Sequence, residues 1–235
     1  MHKKLLALML IAALQPSWAQ PTEKDIKNRQ DIQSQLLDAK VLLEKDNGRL
    51  WGKPIWNDSI IAIDFDSSIY SLIKLPGSQT DNDTLHYKTM DSNSLAFVNT
   101  TQKYQGKEYA TVMRNYLDDK SATVIHELFH LLQMKSRKLN GDSIGYLDQT
   151  DARILLRLEY QALKNALKAI IEKRKTDEVK NCLKDAAIFR KIRQKHHAEY
   201  LSAELELETL EGLANYTGLV LSSYENKYEK AIEEI

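Results

Sequence analysis

Thr123 to Leu132 reads TVIHELFHLL and sets His126, Glu127 and His130 in an otherwise apolar run. An apolar run of this kind folds as a helix buried on most sides. A buried helix excludes polar groups that lack partners, because each one costs roughly 1–3 kcal/mol or more. The fold must therefore deliver something to these three side chains. Residues four apart on an α-helix lie about 40° apart around its axis, so both imidazoles project from one face. Glu127 points to the neighbouring face. Asp118, Asp119 and Ser121 offer caps just before the run, which favours a helix there.

Two imidazoles one turn apart can meet a single metal ion, and a carboxylate beside them can take a proton from a metal-bound water. Zinc suits imidazole nitrogen, and a catalytic zinc site uses three protein ligands with water in the fourth position. His126 and His130 are thus expected as ligands and Glu127 as general base. The third ligand must come from another segment. His196 and His197, in QKHHAEY, lie in a charged stretch and read as solvated surface residues. Glu159, in LLRLEYQAL, lies 29 residues past His130 on an amphipathic helix, where it could instead pair with Arg153 or Arg157. Glu211, in LEGLANYTG, lies 81 residues past His130. Gly212 beside it lets another backbone approach closely. Asn215, one turn on, could orient a ligating imidazole.

The remainder of the chain limits what such a site can serve. His2, Lys3 and Lys4, the apolar run Leu5 to Leu14 and the small-x-small ending Ser17-Trp18-Ala19 have the layout of a secretory signal peptide over residues 1–19. No later segment is long and apolar enough for a membrane anchor, so an exported protein, periplasmic or secreted, is expected. Loss of Lys3 and Lys4 leaves 31 of the 33 basic residues against 33 acidic ones, which argues against nucleic acid as a partner. Cys182 is the single cysteine, so neither an internal disulfide nor a multi-cysteine metal site can form.

The chain reads as an α+β fold in three parts after the leader. Residues 20–48 form an amphipathic helix stopped at Asn47-Gly48. Residues 49–118 are β-rich, with strands expected at SIIAIDF, YSLIKL, LHYKT, SLAFVNT and YATVMRNY, separated by breakers such as SQTDNDT. This predicts a small, mostly antiparallel sheet. Residues 119–235 are helical, with interruptions at Asn140-Gly141, Lys175 to Asp177, Gly212 and Gly218. The closing EKAIEEI carries no helix stop, so the natural chain is expected to continue past Ile235.

HELFH followed at a distance by EGLANYTG resembles the gluzincin metallopeptidases, in which HExxH is completed by a glutamate on a later helix. The longer pattern LWGKPIW…LDQTDARILLRLEYQAL…LEGLANYTG is similar to exported bacterial proteins of this zincin-like type. The resemblance implies a zincin-like fold with zinc held by His126, His130 and Glu211, Glu127 as base, and a peptide or protein substrate. Glu159 stays the rival to Glu211. Thermolysin-type members carry Asp where Asn215 stands, so the group behind the ligand is neutral here. An oxyanion-stabilising residue is also implied. Tyr216, Tyr160, Tyr146 and His196 are chemically able, and Tyr216 is favoured because it lies near Glu211. A strand between Ser94 and Tyr116 would receive the extended substrate at a sheet edge. The alternative is a zincin-like metal-binding or scaffold protein without catalysis.

Overall fold

The computed structural model describes residues 22–81, 84–91, 94–117, 120–136 and 145–235. The expected leader, the caps Asp118 and Asp119, and the Asn140-Gly141 turn lie outside the described residues. The chain divides into two compact units, Met1–Asp31 and Ile32–Ile235. In the first, the Asp25 carboxylate accepts hydrogen bonds from the Thr22 backbone N–H at 2.9 Å and hydroxyl at 2.7 Å. Thr22 Oγ1 in turn accepts from the Asp25 N–H, so this reciprocal cap starts helix α1 (Glu23–Asp46). At the helix end Asn47 and Gly48 take positive φ, as the stop signal requires.

The second unit is α+β. Its sheet has six strands: β1 (Ile60–Ile63), β2 (Ser68–Ser71), β3 (Gln79–Asp81), β4 (Leu85–Thr89), β5 (Thr100–Tyr104) and β6 (Lys107–Met113). They lie in the order β3-β4-β2-β1-β6-β5, and every pairing is antiparallel except β1 with β6. Alternation along β1 explains two cores. Ile60 and Ala62 pack with Leu36, Ala39 and Leu43 and with Val124, Ile125 and Leu128, whereas Ile61 and Ile63 face Ile69, Leu75 and Leu95 on the other side. All four residues of β1 are fully buried, as expected for a central strand covered on both faces.

Three strand expectations need correction. YSLIKL is strand only at Tyr70 and Ser71, in a strand that begins at Ser68. SLAFVNT is irregular except at its end, and the strand runs from Thr100 to Tyr104 instead. Its register is set by a tight hairpin to β6 with Gln105 and Gly106 both at positive φ, a turn that matches strand twist. The breaker SQTDNDT contributes β3, which pairs at the sheet edge with β4.

Helix α2 (Ala122–Ser136) packs on β6 and β5. A helical hairpin follows, α3 (Thr150–Ile171) and α4 (Thr176–His196), broken near Lys175 to Asp177 as anticipated. The chain then forms α5 (Leu201–Leu207), a π turn over Glu208–Gly212, α6 (Leu213–Leu221) and α7 (Lys227–Glu234). Gly218 lies within α6 and does not interrupt it. Its role is close packing: a Cβ there would meet the Ala122 carbonyl oxygen at 2.8 Å. Gly212 has open space around it, so the close backbone approach expected there occurs at Gly218. α6 thus lies against the first turn of α2.

Candidate metal centre

α2 supplies the first two donors. Val124, Ile125, Leu128, Phe129 and Leu131 are buried in the helix–sheet core, which fixes the rotation of the helix and turns His126 and His130 toward α6. Their Nε2 atoms stand 2.9 Å apart. The π turn delivers Glu211, whose Oε2 lies 3.5 Å from His126 Nε2 and 3.7 Å from His130 Nε2. Metal–ligand bonds of about 2.0–2.1 Å at near-tetrahedral angles give ligand–ligand separations of about 3.3 Å. The observed triangle brackets that size, and His126, His130 and Glu211 could hold a metal ion.

The electrostatics agree with a site built for a cation. Burial alone would lower the His126 pKa, but the Glu211 and Glu127 carboxylates and the Asn215 side chain overcome it and leave it raised. His130 moves the other way, lowered by burial and by the neighbouring His126 despite Gln133 and Glu211. Glu211 is lowered, chiefly by its hydrogen bond to His126. Glu127 is 5% exposed, and burial pushes its carboxyl up to about 7, with Glu211 adding to the rise and His126 opposing it. Its Oε1 is 3.9 Å from His126 Nε2, and its buried Oε2 has no hydrogen-bond partner among the described residues. Such an orphaned oxygen is costly unless something else uses it.

A cleft of about 380 Å³ opens beside His126 and Glu127, and Asn99, Tyr116, Asn215 and Tyr224 are also among its walls. Asn215 shares this wall with His126, and its side chain helps to raise the His126 pKa. Tyr216 is half exposed and sits edge-on to Trp51, with ring centroids 6.2 Å apart, and does not line the cleft. Tyr146 is also committed elsewhere, donating to Glu204 Oε2 at 2.7 Å. Tyr116 and Tyr224 are the tyrosines on the wall, and the sequence reading passed over both.

Glu159 is turned away from the histidines. It is buried and held by Arg193 at 2.6 Å and Arg190 at 3.5 Å, partners from α4 rather than the Arg153 and Arg157 of its own helix. Arg193 is fully buried and also pairs with Glu204 and donates to the Tyr146 hydroxyl at 2.7 Å. His197 is a second correction. Its neighbour His196 is exposed, but His197 is buried, its ring tilted against Tyr146 with centroids 4.8 Å apart and 3.3 Å from Asp151. The α4 end turns inward at this point, which a run of charges does not reveal.

Gln133 was also missed. It lies three residues after His130 on the same stripe of α2, and a polar residue on that stripe was the available signal. Its Oε1 is 2.8 Å from His130 Nδ1, and its amide nitrogen donates to the carbonyls of Thr209 and Leu210. Against known proteins, the chain matches no family model, no curated protein and no solved structure.

Proposed function

We propose that this chain is a zinc-dependent peptidase of the gluzincin type, acting outside the cytoplasm on peptide or protein substrates. The observation that carries the reading is the donor set. Two imidazole nitrogens and a carboxylate oxygen converge at ligand spacing, and the buried, unpartnered oxygen of Glu127 stands beside them. His126, His130 and Glu211 would hold the zinc. Zinc held there supplies Lewis acidity, which polarises a carbonyl and makes water acidic enough to attack it near neutral pH.

The other steps fall to the chain's own groups. Glu127, buried beside the two imidazoles with an unpartnered Oε2, is suited to take a proton from water and return it to the leaving amine. Asn215 orients His126, and the cleft walls around Asn99, Tyr116 and Tyr224 receive the substrate. The N-terminal layout of residues 1–19 supports export, and no helix among the described residues is long and apolar enough to cross a membrane.

Glu127→Gln is the test. It should leave zinc binding intact and reduce cleavage of a peptide library by about 10²–10⁴-fold. Cleavage at the wild-type rate by that variant would rule the mechanism out. The second reading, a metal-binding or scaffold protein without catalysis, is favoured by one observation: Tyr216 packs on Trp51 rather than facing the cleft. Wild-type chain that retains zinc but cleaves nothing in the library would establish that reading instead.

A further inference from the structure

We infer that Gln133 is a positioning residue that sets the metal site from two sides, fixing the tautomer of His130 and pinning the turn that carries Glu211. The inference rests on the metal-site reading above, and its chemistry follows from the amide alone. The Gln133 nitrogen faces two backbone carbonyls, Thr209 O at 2.8 Å and Leu210 O at 3.0 Å. Carbonyl oxygens only accept, so the end of the amide that meets them must be NH₂ and cannot be flipped. The other end is then the oxygen, and it lies 2.8 Å from His130 Nδ1. An amide oxygen cannot donate, so Nδ1 carries the hydrogen. His130 Nε2 is left with a free lone pair, and that atom faces His126 and Glu211.

Both carbonyl acceptors belong to the π turn Glu208–Gly212, and they immediately precede Glu211. One side chain therefore ties the second histidine to the backbone that presents the third donor, although the two lie far apart in sequence. Rotation of the His130 ring or displacement of the Glu211 turn would each break hydrogen bonds to the same amide. π turns recur at functional sites, where the extra residue re-aims a side chain. Here that side chain is Glu211, and Gln133 holds the re-aimed turn against α2.

The experiment uses the purified full chain, Gln133→Leu and Gln133→Glu. Three readouts are taken: zinc affinity by chelator competition, the visible spectrum of the cobalt(II) form, and ring ¹⁵N shifts of His130 without metal. Urea unfolding monitors the fold. Gln133→Leu should weaken zinc binding 10–100-fold, the range for groups that orient ligating histidines. It should also alter the cobalt spectrum and release His130 from the Nδ1–H tautomer. Gln133→Glu keeps an acceptor for Nδ1–H but loses the donors to Thr209 and Leu210, so it should preserve the tautomer and still bind zinc more weakly. Zinc affinity within twofold of wild type in Gln133→Leu, or an Nε2–H tautomer in the wild-type chain, overturns this inference alone. A wild-type chain that binds no zinc overturns the metal reading and this inference together.

Discussion

Arg193 and the His126–His130 pair are both polar groups set among packed helices, yet they are built by opposite rules. Around Arg193 a single guanidinium meets the carboxylates of Glu159 and Glu204 and the Tyr146 hydroxyl, so opposite charges and donors are matched within the protein. Only its Nε lacks a partner among the described residues. Around His126 the converging atoms are two imidazole nitrogens and the carboxylates of Glu211 and Glu127, with no Lys or Arg paired to them among the described residues. In the first cluster, with Arg190 also on Glu159, both buried carboxylates face a guanidinium. In the second the buried Oε2 of Glu127 has no partner among the described residues, and the three converging donors could hold a metal ion.

Breaking the first cluster should cost the most. Arg193→Met leaves Glu159 and Glu204 buried with their main partner gone, and should cost about 3–5 kcal/mol in urea unfolding. Replacing Glu159 and Glu204 with apolar residues as well should recover most of that loss, because the pair is balanced rather than strongly favourable. If the single variant unfolded at the wild-type midpoint, Arg193 would not be what balances the buried carboxylates.

Filling the second cluster is the next test. Zinc at a hundredfold its dissociation constant should stabilise the wild-type chain by about 2.7 kcal/mol. The His126→Ala/His130→Ala variant should gain nothing from zinc in the same melts.

Acidity sharpens the comparison further. In the metal-free chain Glu127 is raised from 4.5 to about 7. A raised carboxyl stabilises the fold fully below its unfolded pKa and loses that contribution as pH climbs through the folded value. His126, raised from 6.5, has the same sign, and His130, lowered from 6.5, opposes it. The Glu127 contribution alone should make the metal-free chain less stable at pH 8 than at pH 5.5 by about 2 kcal/mol. Zinc should reverse the trend, because its ligands must be deprotonated and protons compete for them. Unfolding at the two pH values, with and without zinc, measures both slopes.

The smallest effect concerns spacing. Gly218→Ala places a methyl 2.8 Å from the Ala122 carbonyl and must push α6 off α2. A destabilisation of about 1 kcal/mol is expected from this overpacking. Zinc affinity should fall too, since Glu211 and His126 are held by these two helices. Unchanged melting and unchanged zinc affinity would mean that the helix contact does not set the ligand distance.

What was legible in the sequence was local. The His126 and His130 spacing is one helical turn, a property of backbone geometry that needs no fold to interpret. The apolar alternation of β1 and the stop at Asn47-Gly48 are local in the same sense. Errors came where distant partners decided the outcome. SLAFVNT has strand-like residues, but Leu95 is needed in the second core and the Gln105-Gly106 hairpin sets the pairing from the other side. His197 sits in a charged run, yet the chain turns inward and packs it against Tyr146. Glu159 and Glu211 were both acidic residues on plausible helices, and no composition rule separates them.

By itself, then, the amino-acid order determined that one buried helix carries two imidazoles and a carboxylate on adjoining faces, because side-chain direction on a helix repeats every 3.6 residues. Which remote carboxylate approaches them was decided only in three dimensions. Arg193 captures Glu159, while the π turn and the contact of Gly218 with Ala122 carry Glu211 to the histidines. Such choices depend on how whole helices pack, and packing is a sum over residues far apart in the chain.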